Sequence, residues 1–204
     1  MNANRKRTAQ EKRAQNRTAL APFHLAKLAA QLPLVFPRDP QLPPSPKCAY
    51  RSRYRYPGYV QLMEPGALEA LSPFEICLHL FDFSHLEVLL AARIYAPSAK
   101  GQRPFHPVSM YLLSLYRRAE NLSRHETLRR LRHKRRGRSL RRLLGFGFRE
   151  IPSEAGLRYF EKQIKPDLQW EINAQQIEVL YQAGLLPTRP QAACQVDLSF
   201  DGML

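Results

Sequence analysis

The sequence predicts a mainly α protein: a multi-helix bundle preceded by a basic arm and a proline-rich extended stretch, and followed by one C-terminal β-strand. Three observations carry this. Serine followed three residues later by glutamate recurs ahead of apolar runs, at Ser72 and Glu75, Ser84 and Glu87, and Ser123 and Glu126, which is the spacing of a helix capping box. Apolar residues then return every three or four positions, the period of one helix face. Prolines at positions 33, 37, 40, 43, 44, 46, 57 and 65 forbid continuous helix ahead of that region.

Taken in order, residues 1–32 form the basic arm, with a short helix and partial disorder, because residues 1–20 hold almost no large apolar side chains to offset the entropy of folding. Residues 33–71 form the proline-rich linker. Within it, Tyr50-Arg51-Ser52-Arg53-Tyr54-Arg55-Tyr56 alternates, so an extended chain places its arginines on one side and its tyrosines on the other. Two readings stay open there: a backbone-tracking segment with aromatic platforms for nucleic acid, or tyrosines laid on the helical body with arginines in water.

Residues 72–190 form the helical domain. Ser72-Pro73 opens its first helix with an N-cap serine and a first-turn proline. Leu86, Leu89, Leu90 and Ile94 give the second a buried stripe, stopped by Pro97. Pro107 opens a third, with Val108, Tyr111, Leu112, Leu115 and Tyr116 on its buried face. Asn121-Leu122 makes a turn into a basic helix whose inner side carries Leu128 and Leu131, so the two form a helical hairpin. Gly137 is expected to end the basic helix, Ser139 to cap a short one through Leu144, and Gly145-Phe146-Gly147 to be a flexible break. Ser153 caps a helix over 154–164 that Pro166 ends, and Asn173 caps another over 174–183, ended by Gly184 and Pro187. In residues 191–204, Cys194, Val196, Leu198 and Phe200 alternate with polar residues in the period of a strand.

Charge is the most informative part of the composition. The chain has 204 residues with Lys+Arg 32 against Asp+Glu 17, a net +15. Residues 1–17 hold six bases against one acid, residues 124–142 hold ten against one, and the rest of the chain is nearly balanced. An excess gathered into two blocks is the footprint of a polyanion partner, since each neutralised phosphate releases a counterion. The candidate DNA-binding residues are Arg124, Arg129, Arg130, Arg132, Lys134, Arg135, Arg136, Arg138, Arg141 and Arg142. Arg129, Arg132 and Arg136 share one stripe if the helix runs on, and His125 and His133 add to the same surface. A solvated helix face is the competing reading, weakened by the mutual repulsion of like charges at helical neighbours.

Several classes are excluded. No run of eighteen apolar residues suits a membrane span, and the basic start lacks the hydrophobic core of a signal peptide, so a cytoplasmic protein is expected. The three cysteines, Cys48, Cys77 and Cys194, share no disulfide or zinc spacing. The six histidines form no ligand pattern, and no nucleophile or nucleotide-loop motif stands out.

The order Arg103-Pro104-Phe105-His106-Pro107, Tyr111-Leu112-Leu113, Asn121-Leu122-Ser123-Arg124, Leu143-Leu144-Gly145-Phe146 and Ile151-Pro152-Ser153 leading to Phe160 resembles the N-terminal region of bacterial insertion-sequence transposases of the DDE class. That resemblance covers about residues 100–164. It implies a helical DNA-binding region ahead of a ribonuclease H-like catalytic domain whose first strand carries the first metal-binding aspartate. By resemblance Asp201, in Asp201-Gly202-Met203-Leu204, corresponds to that aspartate; Met203 replaces the commoner threonine, and Asp197 on the same strand face is the alternative. Two-ion phosphoryl transfer needs several converging carboxylates around Mg²⁺. The expectation is therefore the DNA-binding N-terminal part of a transposase acting in transposition, inactive alone, with Mg²⁺ bound only in a complete enzyme and no cofactor for this chain by itself. The expected partners are DNA, as transposon ends, and a second copy of the chain, with no membrane. The alternatives are a non-catalytic nucleic-acid-binding helical protein, for which Asp201-Gly202 is only a hairpin turn, and a protein-interaction module using the Leu86 to Ile94 stripe.

Overall fold

A computed structural model of the chain describes residues 32–36, 50–63, 66, 70–95, 103–135 and 137–184. The chain divides into two units at Leu32 and Pro33, and the elements below belong to the second. They are mainly helical, as expected. The terminal strand expected over residues 191–204 lies outside the described residues, as do residues 1–31 of the arm and Arg136.

Helix α1 (Pro73–Leu80) starts where its caps dictate. Ser72 Oγ accepts from the Glu75 N–H at 3.2 Å, Glu75 Oε2 accepts from the Ser72 N–H at 2.9 Å, and Pro73 occupies the first turn. The next residues, β2 (Phe81–Asp82), pair in parallel with β1 (Leu34–Val35). This two-residue ladder was not anticipated. The prolines rule out helix, but they leave Leu34-Val35 free to extend, and burial of Leu34 with exposure of Val35 follows the two-residue period of a strand. Phe36, Phe81 and Phe83 gather there with ring centroids 5.2 to 6.0 Å apart.

Helix α2 (Leu86–Ile94) buries Leu86, Leu89, Leu90, Ala91 and Ile94, so its stripe belongs to the core. Its expected capping box does not form. Both the N–H and the hydroxyl of Ser84 donate to the Asp82 carboxylate, at 2.9 and 2.6 Å, while Glu87 reaches His106 at 3.2 Å. Helix α3 (Pro107–Ala119) is buried over nearly its whole circumference, including Val108, Met110, Tyr111, Leu112, Leu113 and Tyr116. It packs against helices on more than one side, which explains why apolar residues spread beyond the single expected face; Leu115, expected inside, is half-buried. Asn121 ends it at φ 50°, with the Leu122 N–H donating to the Arg117 carbonyl at 2.9 Å and the Asn121 N–H to the Arg118 carbonyl at 3.0 Å. This is a Schellman closure with asparagine in the left-handed position usually held by glycine.

Four further helices complete the described body: α4 (Arg124–Arg132), α5 (Gly137–Leu144), α6 (Glu154–Gln163) and α7 (Pro166–Gln182). Ser153 caps α6 by accepting from the Gly156 N–H at 3.1 Å. The last two helices expected from sequence are differently divided. Pro166 not only stops α6 but takes the first position of α7, where its missing N–H costs nothing. Asn173 lies inside α7 and accepts from Gln169 at 3.0 Å instead of capping a helix of its own.

Candidate nucleic-acid interface

Helix α4 begins at the expected cap. Ser123 Oγ accepts from the Glu126 N–H at 3.1 Å, and the Thr127 hydroxyl donates back to the Ser123 carbonyl at 2.8 Å. Only half of the capping box forms, because the Glu126 carboxylate turns to Arg129 at 2.6 and 2.9 Å and to Arg130 at 3.4 Å. The Arg129 guanidinium holds the Glu126 carboxyl below the usual carboxylate range. Thr127, Leu128 and Leu131 are buried where α4 meets α5 and α6. The turn from α3 is tight as expected, yet α4 rests on these later helices more than on α3.

The end of α4 differs from the sequence expectation, and the difference redraws the basic surface. The helix stops at Arg132, and Gly137 is the first residue of α5 rather than the last of α4. Two interactions explain it. A Cβ on Gly137 would lie 2.6 Å from the Leu131 carbonyl oxygen, so only glycine lets the start of α5 lie against the end of α4. The guanidinium of Arg141 then donates to the carbonyls of Leu131, His133 (3.2 Å) and Lys134 (3.4 Å), taking acceptors left free where the helix ends.

Arg141 is therefore a correction to the candidate DNA-binding set. It is buried, at 5% exposure, and its donors face inward. Arg124 is also committed: with Arg117 it grips the buried Glu161 carboxylate, at 2.5 and 2.7 Å, tying α3 and α4 to α6. Arg129 and Arg130 are held by Glu126, and Arg130 also meets the Tyr116 hydroxyl at 3.3 Å and Glu120 at 3.5 Å. Arg132, Lys134, Arg135, Arg138 and Arg142 are exposed and make no ion pair among the described residues. The straight stripe of Arg129, Arg132 and Arg136 is replaced by a surface centred on a turn. Arg132, Lys134 and Arg135 leave the C-terminus of α4, and Arg138 and Arg142 stand one turn apart on α5. His133 follows Arg132 at that turn and is exposed, while His125 is exposed in the first turn of α4.

The segment from Tyr50 to Tyr56 takes the second of its two readings. Tyr54 and Ser52 are buried, while Arg53 and Arg55 are exposed. The Arg51 N–H donates to the Pro104 carbonyl and the Arg53 N–H to the Gly145 carbonyl, both at 2.9 Å. Ser52 Oγ accepts from the His106 N–H at 2.8 Å, and the Tyr56 hydroxyl donates to the His79 carbonyl at 2.5 Å. The Arg51 guanidinium lies 4.6 Å from the Phe105 ring centre. These bonds also correct the expected flexible break. Gly145 stands at φ 78° in a second Schellman closure, its N–H donating to the Arg142 carbonyl and that of Phe146 to the Arg141 carbonyl. A Cβ on it would meet the Arg53 backbone, 2.7 Å from the carbonyl carbon. Glycine is fixed there by conformation and by a close approach.

Sequence reasoning missed the Arg117, Glu161 and Arg124 triad, whose members are far apart in sequence. It also passed over Phe148, which is exposed. The Cys77 thiol is pushed up to about 11 by burial, which keeps it protonated and unreactive near neutrality. Among the described residues no group of three or more His, Cys, Asp or Glu is placed to hold a metal ion. Asp201 and Asp197 lie outside the described residues. No described helix is long and apolar enough to cross a membrane.

A family model described as a transposase domain (DUF772) matches residues 67–163, from just ahead of α1 to the end of α6. No curated protein and no solved structure matches the chain. The resemblance to insertion-sequence transposases drawn from the sequence over about residues 100–164 falls almost wholly within this match, and what the chain is similar to over residues 67–163 is a transposase domain.

Proposed function

We propose that this transposase domain holds DNA through the turn between α4 and α5, with Arg132, Lys134, Arg135, Arg138 and Arg142 as phosphate contacts. The observation that carries the reading is the division of the basic block: five exposed cations between the end of α4 and α5 have no ion pair among the described residues, while their neighbours are engaged within the fold. Unpaired like charges repel one another, and an anion placed among them removes that cost. Phosphate contacts of this kind orient a protein on the duplex without reading its sequence. Within a transposase, the task is to seat the ends of the element for strand transfer. Asp201 would supply one carboxylate to a Mg²⁺ site in an assembly that brings further carboxylates to it.

The test is binding of the chain to duplex DNA, with R132Q, K134Q, R135Q, R138Q and R142Q combined. The combined variant should keep its melting temperature and lose affinity by roughly 10²-fold or more at moderate salt. Unchanged affinity would remove this surface from the function and favour a role through protein partners.

A further inference from the structure

Phe148 stands out among the exposed apolar side chains because it is exposed and held in place at once. It is 55% exposed. It sits in a turn closed by the Glu150 N–H donating to the Gly147 carbonyl at 3.3 Å, with the Glu150 carboxylate folded back against Gly147. Its ring lies over the Arg141 guanidinium, 5.1 Å from centroid to central carbon. That guanidinium is itself fixed by the carbonyls of Leu131, His133 and Lys134. The ring therefore rests on a rigid cationic seat, which is a favourable cation–π arrangement, and keeps surface open to solvent.

The same contacts place the ring within the basic surface. The carbonyls of His133 and Lys134 accept from the same guanidinium, Arg142 follows Arg141 on α5, and Arg149 follows Phe148 in the turn; all four of these side chains are exposed. An aromatic face among exposed cations is the arrangement that binds single strands, in which bases stack on rings while phosphates meet bases of the protein. A fully paired duplex offers its base faces only at ends, breaks or extruded nucleotides.

We propose that Phe148 is a stacking platform for an unpaired nucleobase, so that this surface takes a junction of duplex and unpaired DNA rather than uninterrupted duplex. The inference rests on the DNA-binding reading above and deepens it. A platform at this position would hold a strand opened or cleaved at the edge of the bound duplex.

The experiment compares wild type, F148A and F148Y on a twelve-nucleotide single strand, a blunt duplex, and that duplex with an unpaired extension, by fluorescence anisotropy. F148A should weaken binding to the single strand and the extended duplex by roughly 5- to 100-fold, and to the blunt duplex by less than about 2-fold. F148Y should retain wild-type binding. Equal single-strand affinity for F148A and wild type would overturn the proposal, as would an equal loss on all three DNAs, which would indicate disturbance of the Arg141 seat. Failure of the wild type to bind any of the three would instead overturn the DNA-binding reading itself. Melting curves of F148A should match wild type, since the ring contributes little buried area.

Discussion

The two halves of the basic block make the most instructive comparison in the molecule. From Arg124 to Arg130 every arginine meets an acid: Arg124 meets Glu161 from α6, Arg129 meets Glu126, and Arg130 meets Glu126 and Glu120. From Arg132 to Arg142 the described bases meet none, and Arg141, the one that is buried, spends its donors on backbone carbonyls. The residue types are the same in both halves. What separates them is whether the fold brings an acceptor to the guanidinium, and that decides between a structural clamp and a surface with unspent charge. Arg141 and Arg142 make the point at the smallest scale, since of these two adjacent residues on one helix the first is buried and the second exposed.

The largest effect expected on this comparison is that of Arg141→Ala. It strips charged donors from three carbonyls and opens a void under Phe148, and should lower stability by about 3 kcal/mol, read as a fall in denaturant midpoint. A variant as stable as wild type would place Arg141 with the solvent-facing bases. Next is Glu161→Gln, which leaves two partly exposed arginines without their carboxylate. Because both guanidinia retain some water, the loss should be about 1–2 kcal/mol rather than the full cost of breaking a buried pair, and DNA affinity should not fall. A drop in affinity with unchanged melting would instead put Arg124 at the interface.

The smallest effect concerns Glu126, which lies at the surface. Its carboxyl titrates below the ordinary range when folded, chiefly through its hydrogen bond to Arg129. A depressed folded value stabilises the fold above the unfolded carboxyl range, and that contribution disappears as the pH falls through the folded value. Acidification should therefore release Arg129 and Arg130 and make the first half resemble the second. Glu126→Gln should do so at neutral pH, with a small gain in DNA affinity and little change in melting. No gain would show that these two arginines cannot reach phosphate even when freed.

How much of this was legible in the sequence depends on range. Ser72 with Glu75 and the cap at Ser153 could be read because the donor and acceptor lie within four residues. Ser84 shows the limit of that logic, since Asp82, two residues away, outcompeted the helix for its hydroxyl. Pro166 carried two meanings, a stop for α6 and a start for α7, and only the continuity of Asn173 with its neighbours on the helix distinguishes them. Gly137 and Gly145 were recognised as punctuation, but their reason is contact with α4 carbonyls and with the Arg53 backbone, which no local pattern reveals. For the same reason the block of ten bases was visible at once, while its division required knowing that Glu161 folds beneath α4.

The central claim is that division, and salt dependence tests it most directly. Affinity for a duplex is measured against salt concentration for wild type, for Arg124, Arg129 and Arg130 changed together to Gln, and for Arg132, Lys134, Arg135, Arg138 and Arg142 changed together to Gln. The slope of log affinity against log salt reports the number of phosphates neutralised, at about 0.9 per contact. The account predicts a slope near that of wild type for the first variant, with lower stability, and a much shallower slope for the second, with stability unchanged. A slope that falls with the first set and not with the second would contradict it.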